Sequence, residues 1–401
     1  MKFEAGRLAL DKVIGLTSKA LPSKDYGDAT SGIMLEVSEK NPKELTVTCN
    51  SLELFVRSKI KLNEAGVPGV VVPSGKILVS IVSGLKSMKN PIVVEYDDEV
   101  CNISCGKEYN GSIAHYDTMG FLVPKSDAEI KELPTMSVPL RLIKKAVNEV
   151  TFACGSDKTH LYLTGVFFDQ KKDSMNIVAS DAMRMSICMY NSKIKNPHSV
   201  VFPKNILELI SKISSVLEID DNKIITFHVS DEDNMAYMIA DNTTIGFQTY
   251  GNTFIGEEDG GYDSFVIKPE DCAVRLRVDR DELLSRLELA SSHNSSANDT
   301  ILFCLESKKT GALKSKVESS SGNVNTFDIP FNITKVFTKE GFKLKKFRIG
   351  MNPQFMFDVL TRLKYKEVDI SLVDVENGPV VIYTNSENGV SGDYIHVFSL
   401  V

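Results

Sequence analysis

No stretch of this 401-residue chain approaches the ~18 consecutive apolar residues of a membrane-spanning helix. The opening MKFEAGRLAL lacks the hydrophobic segment of a secretory leader and reads as part of the folded protein. Neither G-x-x-x-x-G-K-S/T nor G-x-G-x-x-G after a strand occurs, so no loop is marked as a phosphate cradle. The six histidines, His115, His160, His198, His228, His293 and His396, include no pair at the i, i+4 spacing of a helical metal site. His198 neighbours Ser199, but adjacent strand residues point to opposite faces and make a poor nucleophile–base pair. GEEDGGYD (256–263) lacks the alternating Asp/Asn ligands and closing Glu of a calcium loop and reads as an acidic linker. The seven cysteines are odd in number and scattered, which favours reduced thiols in a cytoplasm. Cys101 and Cys105 form the one close pair; with no second pair at zinc-finger spacing, they read as core thiols in a strand. The expectation is a non-enzymatic cytoplasmic protein with no cofactor and no metal.

The formal net charge of −7 argues against a protein that coats nucleic acid over its whole surface. A basic surface confined to one face is still compatible with it. With 42% hydrophobic and 25% charged residues, the composition is that of a soluble globular chain. Its length suits about two to four domains.

What the chain does contain is a repeat. GVVVPSGKILVSIV, SVVFPKNILELI and FRIGMNPQFMFDVL each run strand, proline, amphipathic helix. Their prolines, Pro73, Pro203 and Pro353, are 130 and 150 residues apart. Proline suits the first turn of a helix, where its missing N–H is not needed. A second helix-like stretch opens each unit: EAGRLALDKVIGLTSKAL, PLRLIKKAVNEVTFA and RDELLSRLELASS. Short β-like runs fill the remainder, so each unit reads helix, strands, helix, strands. Two seams rich in charge, Gly or Pro, 123–138 and 251–271, separate the units. Three domains follow, at 1–125, 136–262 and 271–401.

The helices carry a charge bias. In PLRLIKKAVNEV, Leu140, Ile143, Val147 and Val150 form one stripe, and Arg141, Lys144 and Lys145 fall off it. Between Pro73 and Asn90 the only charges are Lys76, Lys86 and Lys89. The third unit's second helix ends in Arg362, Lys364 and Lys366, whereas Lys204 and Lys212 alternate with acids. Any one of these is an ordinary solvated lysine face. Their recurrence in an acidic chain reads as a shared basic surface that holds phosphates by charge and reads no bases.

The threefold layout, with IVASDAMRMSI, VTCNSLELFVRSKI and the opening MKF, resembles the bacterial DNA polymerase beta sliding clamp family over essentially the whole chain. The resemblance implies an α+β DNA clamp fold of three similar domains. Each would place two helices on an inner face and antiparallel sheets outside. Two chains would close head to tail into a homodimeric ring around duplex DNA, held non-specifically. Lys24, Lys76, Lys86, Lys89, Arg141, Lys144, Lys145, Lys204, Lys212, Arg362 and Lys366 would face the DNA. The replicative polymerase and the clamp loader would dock through short hydrophobic peptides. Their pocket would comprise Leu163, Ser180, Ala182, Met183, Arg184, Met185 and Phe265, with His396, Val397, Phe398, Ser399 and Leu400 as its other wall. Methionines suit a site that accepts varied apolar side chains; a core role for Leu163 and Met185 stands beside that reading on equal terms. Ile113, Tyr116, Ser292 and His293 would lie at the dimer contact.

This chain departs from that family's pattern at AMRM, where Gly-His-Arg-Leu is usual, at its ending VFSLV, and at Ser264, where the family has Arg. The polar ASSHNSS at the expected dimer edge implies a weaker ring than usual. The alternative is a clamp-like recruitment adaptor that never closes on DNA.

Overall fold

The computed structural model describes residues 1–97, 99–255, 261–292, 300–315, 326–376, 378–384 and 394–398. In chain order the first elements are β1 (Lys2–Ala5), α1 (Arg7–Thr17), β2 (Met34–Val37), β3 (Glu44–Asn50) and β4 (Leu54–Lys61). Next come β5 (Gly69–Pro73), α2 (Gly75–Leu85), β6 (Ile92–Tyr96), β7 (Cys101–Cys105), β8 (Tyr109–Ile113) and β9 (His115–Tyr116). The middle holds α3 (Asp127–Lys131), β10 (Thr135–Pro139), α4 (Leu140–Glu149), β11 (Gly165–Gln170), β12 (Ser174–Ser180), β13 (Arg184–Asn191) and β14 (Ser199–Pro203). After them run α5 (Lys204–Val216), β15 (Ile224–Ser230), β16 (Met235–Ala240), β17 (Thr243–Gln248), β18 (Val274–Asp279) and α6 (Arg280–Ser291). The chain finishes with β19 (Ile301–Leu305), β20 (Thr310–Ser315), β21 (Asp328–Thr338), β22 (Phe347–Met351), α7 (Pro353–Arg362), β23 (Glu367–Leu372), β24 (Val380–Thr384) and β25 (Tyr394–Phe398).

The three prolines do not act alike. Pro353 is the first residue of α7, behind the Asn352 cap whose side chain accepts from the Gln354 N–H. Pro73 and Pro203 instead close β5 and β14, and their helices begin after them. A strand end tolerates proline because no ladder donor is required there. The other third-repeat helix, α6, is capped by Asp279, with Asp281 and Glu282 in its first turn, where acids favour the N-terminal end.

Two compact units form. The first combines Met1–Leu140 with Lys212–Thr249, the second Arg141–Ser211 with Tyr250–Val401. Sheet pairing explains why the middle repeat is shared. In the first unit β10-β15-β16-β17 joins β4-β3-β2-β5-β9 in one nine-stranded antiparallel sheet, through β17 against β4. At that seam the hydroxyls of Ser58 and Thr243 lie 2.9 Å apart. A separate four-stranded sheet runs β1-β6-β7-β8. Helix α1 buries Leu10, Val13, Ile14 and Thr17, a helical stripe, and packs on α2 and β4.

In the second unit the order is β14-β11-β12-β13-β25-β24-β23-β18-β21-β20-β19-β22, all antiparallel. Here β13 pairs β25, so the turn that leads into β13 lies beside the end of the chain's last described strand. Helix α7 buries Met356, Val359 and Leu360, and packs against α6. Alternation along β18 buries Val274, Leu276 and Val278 and leaves Arg275 and Arg277 half-exposed.

Candidate functional site

The β12–β13 turn is built by side chains that satisfy its own backbone. The Ser180 hydroxyl donates to Arg184 O (2.8 Å) and accepts from the Ala182 N–H (3.1 Å). Asp181 Oδ1 accepts from the N–H groups of Met183 and Arg184, each at 3.0 Å. Ala182 sits at φ 72°, a left-handed conformation that favours glycine. The turn leaves the next side chain, Met183, 55% exposed.

Arg184 then turns inward. Its guanidinium donates to Asp181 (3.0 Å), Asp358 (2.6 Å) and Phe152 O (3.1 Å), with its charge centre 4.8 Å from the Phe355 ring centroid. Two carboxylates therefore hold the Arg184 guanidinium, with Arg362 on the same Phe152 ring. Register places Arg184 opposite Phe398 and Met185 opposite Val397.

A third wall is the segment 262–267. The Tyr262 hydroxyl donates to Asp169 (2.5 Å) and accepts from Asn176 (2.8 Å), while the Tyr383 hydroxyl donates to Ile267 O. These bonds fix the segment and leave Phe265 48% exposed above the cleft.

The resulting cavity is about 530 Å³ and mostly apolar. Leu163, Ser180, Ala182, Met183, Arg184, Met185, Phe265, Val397 and Phe398 line it together. Ser264 lines it too, and sequence reasoning missed Tyr162, Ile255, Ile267 and Pro379. Ile255 and Ile267 lie in the seam read as a linker, and Tyr162 and Pro379 lie in or beside β-like runs, so none is marked as a wall. Its volume and lining suit an apolar ligand of several side chains.

His396 is a correction. It is fully buried on the opposite face of β25 from Val397, with Nδ1 2.6 Å from the Ser186 hydroxyl and its ring beside Phe152. Burial, and then the nearby Arg184 charge, hold its pKa well below the usual imidazole value. Ser399, Leu400 and His293 lie outside the described residues.

Of the other expected contact residues, Ile113 is buried at the end of β8. Tyr116 packs with Ala29, Met34, Val72 and Phe121, and its hydroxyl donates to Asp25 (3.3 Å). Ser292 is exposed at the end of α6, its hydroxyl donating to Leu289 O (2.7 Å).

Among the expected DNA-facing residues, Lys24, Lys76, Lys86, Lys89, Arg141, Lys212, Arg362 and Lys366 are exposed; Lys144 and Lys204 are half-buried. Lys76 donates to Ser23 O (3.0 Å), and Lys86 pairs with Asp11 (3.3 Å). Lys145 is different. Its side chain is only 15% exposed, with the ammonium 3.6 Å from Glu149 and over the Tyr190 ring. That charge is spent inside the fold, because a buried ammonium needs a partner that water no longer supplies.

Among the described residues no group of three or more His, Cys, Asp or Glu could hold a metal ion. Burial pushes the thiols of Cys49, Cys154 and Cys188 up to about 12 and that of Cys101 to about 11, so they stay neutral at physiological pH.

Two family models match the chain. Residues 1–121 match the DNA polymerase III beta subunit, N-terminal domain, and residues 137–248 match the DNA polymerase III beta subunit, central domain. The beta sliding clamp of Streptomyces coelicolor is 24% identical over 199 residues, 49% of this chain and 50% of the relative. The chain thus spans about half the length of the curated relatives it matches. Solved structures align over its whole length. A putative DNA polymerase III beta subunit from Eubacterium rectale has a TM-score of 0.82 at 20% identity, covering 100% of this chain and 99% of that one. The sliding clamp from Bacillus subtilis gives 0.82 at 18%, with the same coverage. The fold is that of the DNA clamp.

Proposed function

Because the chain belongs to the DNA polymerase III beta subunit family, we propose that it is a processivity factor: a ring that encircles duplex DNA and tethers the replicative polymerase. The observation that carries this is the whole-length agreement with solved clamp chains. Three repeats would act as three domains, and two copies would close head to tail. Two free sheet edges support closure: β8 ends the four-stranded sheet and β22 the twelve-stranded one, and among the described residues neither has a second strand neighbour. The exposed cations at Lys76, Arg141, Lys212 and Arg362 are assigned to phosphates, and Lys145 is dropped from that set. No base reading is required, since processivity comes from topology and weak charge contacts permit sliding. The apolar cleft is assigned to short hydrophobic peptides of the polymerase and the clamp loader. On this reading the protein catalyses nothing and works in the cytoplasm.

The test combines mass and topology. Sedimentation across a dilution series should show a species of twice 44.3 kDa. Protein loaded on nicked circular DNA should co-elute with it and be released when the circle is cut. A monomer at every concentration, lost equally from circles and linear DNA, would replace this reading with the recruitment adaptor.

A further inference from the structure

Strand register carries one row of side chains across the sheet face that bears the apolar cleft. Directly paired residues share a face, and the pairs run Met185–Val397, Val397–Val381, Val381–Ser371, Ser371–Arg275 and Arg275–Phe337. Met185 and Val397 line the apolar cleft. Arg275 and Phe337, at the other end of the row, line a second cleft of about 310 Å³ with Cys272 and Lys339. The connector divides the two: Ile267 lines the first and Pro269 the second. From Val397 to Arg275 is three strand spacings, about 14 Å, which about five extended residues span.

Charge in the second cleft is unevenly matched. Three cations crowd the Phe337 ring, with Arg275 at 4.3 Å from its centroid, Lys335 at 4.7 Å and Arg277 at 5.4 Å. Asp369 lies among them, and Arg277 takes its carboxylate through two hydrogen bonds of 2.7 and 3.0 Å. Arg275 reaches that carboxylate only at 3.6 Å, and its buried Nε has no hydrogen-bond partner. Lys339 adds a fourth positive charge, against Glu270 and Asp271 on the exposed rim. Cations gathered this closely repel one another, and a guanidinium short of acceptors is a fork suited to an oxyanion.

We infer that this second cleft holds carboxylates of the same partner peptides, an acidic stretch about five or more residues from the apolar anchor. The inference rests on reading the large cleft as a peptide site. Once the anchor is seated, the acidic stretch meets the cations at high effective concentration, so a weak contact counts. Phosphate is the other oxyanion such a fork takes. Alternation turns Val274, Leu276 and Val278 to the side where β18 packs on α6, and α6 packs on α7. The row therefore lies on the sheet face away from α7, whose Arg362 is assigned to DNA.

Full-length protein is titrated with labelled Ala-Leu-Ala-Leu-Phe, extended at either end by a five-residue Gly/Ser spacer and then four Glu or four Gln. With the tail on one end, the Glu peptide should bind about tenfold more tightly than its Gln twin at low salt. The difference should vanish near about 0.5 M salt. Lys335→Gln with Lys339→Gln, at two exposed positions, and separately Arg275→Gln, should bring the Glu peptide down to the Gln peptide's affinity. The Gln peptide, which reads the large cleft alone, should bind these variants as it binds wild type. Equal binding of the Glu and Gln peptides refutes the acidic site and leaves the large cleft standing. Binding by neither refutes both, and a Glu advantage that survives the substitutions also refutes the acidic site. A short oligo-dT that binds wild type but not the Lys335/Lys339 variant, with no Glu advantage, would make the ligand a phosphate and overturn the inference.

Discussion

His396 shows how one residue can be found by its neighbourhood in sequence and still be misplaced. It lies among pocket residues along the chain, but strand alternation sends it to the other face, where burial and the Arg184 charge keep the ring neutral. The consequence is a pH dependence of stability with a definite sign. Above about pH 6.5 the ring is neutral folded and unfolded and contributes nothing. Below it the unfolded chain takes a proton that the folded chain refuses, so stability falls by up to about 1.4 kcal/mol per pH unit until the folded ring's own, lower pKa is reached. His228 is lowered in the same direction, again chiefly by burial, so a residual slope persists without His396. Urea unfolding of wild type and His396→Gln between pH 7.5 and pH 5 should show the shallower slope in the variant. Identical slopes would mean the folded ring takes up its proton as readily as the unfolded one. Ala182, by contrast, was legible as a departure from the usual glycine; only the backbone shows that it occupies a left-handed position there.

At the scale of elements, the six longer helices and most strands could be read from periodicity, because their burial follows residues three and four apart or alternate ones, whereas α3 lies in the seam read as a linker. The sheet order could not. Ser58 and Thr243 meet across 185 residues, and nothing local in β4 or β17 names the partner. One mark of that seam is Gly246, paired with Phe55. A methyl at 246 would fall inside the Phe55 ring, which covers the glycine and reaches on to Tyr237. Gly246→Ala should therefore displace the ring and destabilise the protein by about 1–3 kcal/mol. Gly84 in α2 is the control: a methyl there meets nothing, and Gly84→Ala should stabilise by about 0.5–1 kcal/mol. Denaturant midpoints at unchanged m-value separate the two. Equal effects would show that Phe55 has room to move.

For the molecule as a whole, charge decides between a protein that binds DNA and one that is merely linked to it. The chain is net acidic, so phosphate attraction has to come from local groups on the helix faces. Lys76, Arg141, Lys212 and Arg362 are exposed, and reversing all four to Glu should keep the fold while costing what Arg362 gains by stacking on the Phe152 ring and donating to Asp358 O. Binding to linear duplex should weaken, and the slope of log K against log salt should shrink by about 0.9 for each phosphate no longer neutralised. If the chain closes as proposed, protein already on a nicked circle should stay there, because a closed ring is not held by its charges. Lys145 gives the opposite pattern. Its ammonium serves Glu149 inside the fold, so Lys145→Ala should leave the salt slope alone and cost about 3 kcal/mol of stability by stranding a buried carboxylate. If the fourfold reversal frees protein from circles as fast as from linear DNA, attraction is the whole of the grip and the ring is not closed. If it alters neither, these helix faces do not meet the DNA.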